Sequence, residues 1–233
     1  MDSSHHPASD HLDRTAFQLE RLILFTDAVF AIAITLLVIE IKVPELQQRT
    51  EQAAANGLLH LIPKFIGFFI SFFVIAIYWV AHHRIFRFVR RLDTRLIWLN
   101  LLFLLAIVLI PFTTACQSEY FELRTPWVLY SLNVMLAGFL QAGMQAYLRH
   151  RTHGLTHGHE HAHPDLDLFR PITSPLVFGL SILLAFFLPG MLLRLVPAVA
   201  FPLLGILHGR RHHRLSTAYA RLVQVHATPR AEA

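Results

Sequence analysis

Residues Leu22–Ile41 read LILFTDAVFAIAITLLVIEI. As an α-helix, twenty residues rise about 30 Å, the depth of the hydrocarbon core of a bilayer. Pro44 closes the run. Five further apolar runs follow: Leu58–Ala81, which opens near Pro63, Leu96 to about Thr114, Trp127–Leu148, Ile172–Leu188 and Met191–Leu207. Pro189 and Gly190 form a tight turn between the last two, and Pro197 and Pro202 are placed to kink the sixth. The expected fold is all-α, a polytopic membrane protein with six transmembrane helices.

Composition agrees. Of 233 residues, 55% are hydrophobic and only 15% are charged, against about a quarter in soluble domains. The expected organisation is a segment at residues 1–20, a six-helix membrane domain at 21–208 with a histidine-rich loop at 149–170, and a basic tail at 209–233. The first segment is polar and lacks the basic start and short apolar core of a signal peptide.

The formal net charge is +5. Its basic residues flank apolar runs, so they report topology rather than affinity for nucleic acid. Arg14 and Arg21 precede the first run. Arg84, Arg87, Arg90, Arg91 and Arg95 follow the second, and Arg149, Arg151 and Arg170 follow the fourth. Arg210, Arg211, Arg214, Arg221 and Arg230 lie in the tail. Those fifteen face five on the other side: Lys42, Arg49, Lys64, Arg124 and Arg194. The excess of positive charge inside predicts a multi-pass protein of the cell membrane with both termini cytoplasmic. Cys116 is the only cysteine, so neither an intrachain disulfide nor a cysteine metal cluster is expected.

Polar groups within apolar spans are the candidates for function. Asp27 and Glu40 lie near opposite ends of the first span. Thr35 is the polar residue at its middle, and Ile32, Thr35 and Ile39 share one helix face. Around a symmetry axis that face stacks rings of isoleucine, threonine and isoleucine. Apolar rings close a pore by dewetting, and a hydroxyl ring replaces part of an ion's water shell. The competing reading has Thr35 bonding back to the carbonyl of Ala31. At the end of the second span, Tyr78 and Trp79 fit an interfacial aromatic belt, followed by His82 and His83. Either histidine can pair with Asp27, and Asn100 of the third span lies at the same level.

The tract His153, His157, His159, His161 and His163 suits weak zinc or nickel binding, or a solvated loop. It raises the alternative of a divalent-metal transporter. Such a protein needs carboxylate or histidine ligands at mid-membrane, and the fifth span, ITSPLVFGLSILLAFF, has neither. No nucleophile elbow, metalloprotease helix or phosphate-binding glycine loop is present, so an enzyme is not expected, and neither is a cofactor.

Arg21, then Phe25-Thr26-Asp27, and the run VFAIAITLLVIEIKVP at Val29–Pro44 resemble the first helix of the transmembrane protein 175 family of potassium channels. Threonine stands here where the family signature has serine. SFFVIAIYWVAHHRIF at Ser71–Phe86 is similar to the family's second helix, and Leu99–Thr113, with Asn100 and Pro111-Phe112, to its third. The resemblance implies a homotetramer in the lipid bilayer, with potassium ions passing a pore lined by the first helix of each subunit. It gives Ile32 the role of bottleneck, Thr35 that of selectivity residue and Ile39 that of second apolar layer. It also implies that Arg21, Thr26 and Asp27 hold the bundle together with a span-two histidine (His82 or His83) and Asn100. The chain carries no Thr-Val-Gly-Tyr-Gly filter, as the resemblance leads one to expect.

Overall fold

A computed structural model describes residues 7–150 and 163–227. Among them the chain is helical, in the order α1 Pro7–Ile39, α2 Glu51–His60, α3 Ile62–Phe86, α4 Thr94–Glu119 and α5 Arg124–Arg149. A 3-10 turn at Pro164–Leu166, α6 Phe169–Leu184, the single turn α7 Gly190–Leu193 and α8 Leu195–Ala227 complete it. Four helical segments among the described residues are long and apolar enough to cross a membrane: Ala16–Ile39, Ile62–Phe86, Thr94–Glu119 and Arg124–Arg149. α6 is apolar but shorter, at 16 residues.

Local chemistry sets several boundaries. The Thr50 hydroxyl caps α2 by accepting from the Ala53 amide at 3.2 Å. The Asp93 carboxylate caps α4 through the Leu96 amide at 2.8 Å. Pro63 sits in the first turn of α3, where a missing N–H costs nothing. The apolar run expected from Leu58 is therefore divided at Leu61 into two helices. α1 begins well before the apolar residues, within the segment set apart at residues 1–20. α8 continues past Leu207 into the basic tail as one helix that keeps Pro202 inside it.

α4 is the central element. α5 packs along it, α1 and α3 pack on its other side, and α6 joins through α5 and carries α8. Two aromatic groups fill the seams. Phe30, Tyr78, His82 and Phe103 meet where α1, α3 and α4 converge, and Trp127, Tyr130 and Phe178 meet between α5 and α6. The α5–α6 seam is close at Gly138, where a Cβ would stand 2.5 Å from the Pro175 ring. Only glycine lets the two helices approach so far.

Candidate pore helix and its anchoring network

α1 has two faces. Thr26, Phe30, Ala33 and Leu37 recur at helical spacing and are all buried against α3 and α4. Turned to the opposite side are Ile32, 58% exposed, and Ile39, 66% exposed, with Thr35, also exposed, between them. Arg21 and Phe25 lie on this exposed side as well. The Arg21 guanidinium stands 5.8 Å from the centroid of the Phe17 ring, within cation–π range.

The buried face is pinned by a polar relay. Asn100 donates from Nδ2 to Thr26 Oγ1 at 3.0 Å. Its Oδ1 is left to accept, and His82 Nε2 supplies the proton at 2.8 Å. The His82 ring stacks on Phe86 at 4.1 Å and lies parallel to Phe103 at 5.7 Å. Thr26, His82 and Asn100 are 0%, 2% and 0% exposed. Groups so far from water need partners, and each finds one on a different helix. The relay thereby fixes the rotation of α1 about its axis.

Asp27 takes another partner. Trp79 Nε1 donates to its carboxylate at 2.8 Å, and His83 stacks on Trp79 at 5.8 Å. This differs from a direct histidine–aspartate pair, because His82 points inward to Asn100 and His83 lies over the indole. Trp79, whose sequence position fits an interfacial belt, is an anchor of α1. Thr35 also departs from its expected bond. Its hydroxyl donates to the Ile32 carbonyl, three residues back, at 2.9 Å, rather than to Ala31. With the proton held by the backbone, the oxygen lone pairs remain outward.

Three further features do not follow from the sequence reading. Arg194 is buried, at 3% exposure. It donates to Gly190 O at 2.6 Å and to Gln117 O and Oε1 at 2.7 and 3.1 Å. Its guanidinium also lies 3.7 Å from the Phe121 centroid. A lone arginine inside the apolar run Met191–Leu207 is the signal that could have found it. Second, the hydroxyls of Ser71, Thr114 and Tyr130 form a buried chain, with links of 2.6 and 3.2 Å, across α3, α4 and α5. Third, Lys64 and Glu119 bridge α3 to α4 at 2.8 Å, at the end of the bundle where Glu40 lies.

Of the histidine tract, His153, His157, His159 and His161 lie outside the described residues. His163 accepts from the Asp165 amide at 3.1 Å and faces Phe88. Among the described residues no group of three or more histidine, cysteine or acidic side chains is placed to hold a metal ion.

Residues 21–111 match the family model described as the endosomal/lysosomal potassium channel TMEM175. A protein of Streptomyces collinus named as a potassium channel is 42% identical over 104 residues, covering 43% of this chain and 48% of that one. A second, from Chamaesiphon minutus and also named as a potassium channel, is 45% identical over 100 residues, covering 43% and 49%. The matched region thus spans about half the length of either relative. The crystal structure of a lysosomal potassium-selective channel TMEM175 homolog from Chamaesiphon minutus superposes with a TM-score of 0.66 at 29% identity. That superposition covers 84% of this chain and 98% of the other.

Proposed function

We propose that the chain, which matches the TMEM175 family model over residues 21–111, conducts potassium ions through a pore lined by α1, with four copies arranged around one axis. The supporting observation is the division of α1 into two faces. One side is committed to its own bundle through Thr26, Phe30, Ala33 and Leu37, and the other leaves Ile32, Thr35 and Ile39 unclaimed. In this reading four Ile32 side chains form the bottleneck, which passes ions only when it widens or wets. Thr35 presents a ring of outward lone pairs that replace part of the hydration of potassium. Ile39 forms a second apolar ring. The Thr26–Asn100–His82 relay and the Asp27–Trp79 bond hold α1 so that these side chains face the axis.

In the same reading α6 and the apolar first half of α8 are the fifth and sixth spans, and both ends of the chain lie in the cytoplasm. A bundle that must present only one helix to the pore leaves the others to pack around it and against lipid.

The test is a reversal potential in planar bilayers under opposed potassium and sodium gradients. Wild type is expected to reverse toward the potassium equilibrium potential. Thr35→Ala moves the reversal toward that of a non-selective pore, and Ile32→Asn raises conductance by hydrating the bottleneck. No potassium current in wild type, or variants that leave both quantities unchanged, would refute the assignment.

A further inference from the structure

Away from α1, a cavity of about 500 Å³ lies between α3 and α8, floored by α5 and the start of α6. Its walls are apolar, with Ile77 and Val80 on one side and Leu204 and Gly205 on the other. Ile77 and Val80 are each about half exposed, at 50% and 47%, so the cleft opens sideways on the apolar surface of the bundle. At its arginine-rich end it is lined by Arg84, Arg170 and His208.

The charge there is unbalanced. Asp165, at the same mouth, is already engaged by Arg87 at 2.7 Å and His212 at 3.0 Å. Arg211 is paired with Asp167 at 2.8 Å. The Arg84 and Arg170 side chains have neither an ion pair nor a hydrogen bond among the described residues. His208 reports the resulting field. Burial first, and then the charge of Arg170, hold its imidazole below the ordinary value against the opposing charge of Asp167, with Arg211 and Arg84 adding to the lowering. Two half-buried guanidiniums above an apolar slot that opens toward lipid complement a molecule with an anionic head and a hydrocarbon tail.

We infer that this cleft binds an anionic phospholipid, with its phosphate between Arg84 and Arg170 and an acyl chain along Val80 and Leu204 beside Gly205. The site is separate from the α1 pore face and rests only on the chain's being a membrane protein. A guanidinium pair prefers a phosphate to a zwitterionic head, whose own cation competes for that phosphate. Gly205 leaves the depth for the tail, since a Cβ placed there meets no atom within 4 Å.

The experiment uses the full chain, delipidated in detergent, with bound lipid counted by native mass spectrometry. Phosphatidylglycerol, phosphatidylcholine and inorganic phosphate are compared. Phosphatidylglycerol is expected to bind at least tenfold more tightly than phosphatidylcholine. Arg84→Gln with Arg170→Gln removes that preference, and Arg84→Lys with Arg170→Lys restores part of it. Gly205→Phe fills the slot and abolishes retention while the melting temperature of the lipid-free protein stays within a few degrees. Equal retention of the two lipids, or a Gly205→Phe variant that still binds phosphatidylglycerol, overturns the site. If inorganic phosphate displaces the lipid at equal concentration, the tail contributes nothing, and the lipid assignment fails. Potassium currents are not read in this experiment, so it fails or succeeds independently of the pore.

Discussion

Asn100→Ala removes the middle member of the relay that fixes α1. The His82 Nε2 proton, 2% exposed in its residue, then has no acceptor, and an unpaired buried donor costs about 1–3 kcal/mol. The bond to Thr26 is lost as well, but that hydroxyl can turn to the carbonyl of Leu22 four residues earlier, so its share is small. Interhelical hydrogen bonds in membrane proteins average about 0.6 kcal/mol. The expected loss is therefore about 2 kcal/mol for Asn100→Ala and about 0.6 kcal/mol for Thr26→Val. The double variant should cost little more than Asn100→Ala alone, because both single changes delete the same bond. Unfolding in mixed micelles with rising dodecyl sulfate, followed by the fluorescence of the three tryptophans, measures all of these. Strict additivity of the two substitutions, or an Asn100→Ala variant as stable as wild type, would refute the relay as the anchor of α1.

Other perturbations have equally definite outcomes. Gly138→Leu drives a side chain into the Pro175 ring, which lies 2.5 Å from where the first carbon of that side chain would stand, and should cost about 1–3 kcal/mol in the same unfolding assay. Arg194→Ala leaves the Gln117 and Gly190 carbonyls without their donor and should cost about 2–3 kcal/mol, while Arg194→Lys, lacking the planar fork, recovers only part of it. Asp165 gives a pH signature. Burial alone would raise its carboxyl, but the His212 hydrogen bond and the charges of His163 and Arg84 hold it below its ordinary value of 3.8. Its stabilising contribution is present above that pH and is lost as the pH falls through the lowered folded value. Melting temperatures of wild type and Asp165→Asn should thus differ at pH 7 and draw together only as the pH is taken below 3.8. Among the described residues Ser131 Oγ is buried without a partner, so Ser131→Ala should leave the melting temperature unchanged or raise it slightly.

Hydropathy locates the spans because lipid demands unbroken apolar length, and α3, α4 and α5 fall on the runs that define them. It does not show that α1 starts at Pro7, since the added turns carry Asp10, Asp13 and Arg14 and leave no apolar trace. Nor does it show that Leu61 divides two helices, because both are apolar there. At the anchoring network the residue types are legible in the sequence, but not every pairing. His82 and Asn100 are recognisable as polar groups at one depth, and the structure joins them to Thr26, which entered only through the resemblance. Residue type alone matches Asp27 to a histidine, because charge complementarity is all it can express. The indole N–H of Trp79 satisfies the carboxylate because of where α3 sits against α1, and spacing along one chain carries no information about that. Arg194 reads as a topology marker. Its burial depends on the meeting of α4 with the α6–α8 turn, a contact between residues 77 positions apart.

The length of α1 has a mechanical corollary. Its 33 residues make a rod of about 50 Å, whereas the apolar slab it crosses is about 30 Å deep. Pro7 stands 19 residues from Thr26, a lever arm of about 28 Å. With Thr26 as fulcrum, a tilt of about 10° carries the far tip through roughly 5 Å by the same geometry. A spectroscopic probe at that tip would magnify any reorientation of the helix, and a load applied there would act on the packing of Leu19, Leu22 and Ile23 before it reached the Thr26–Asn100 bond.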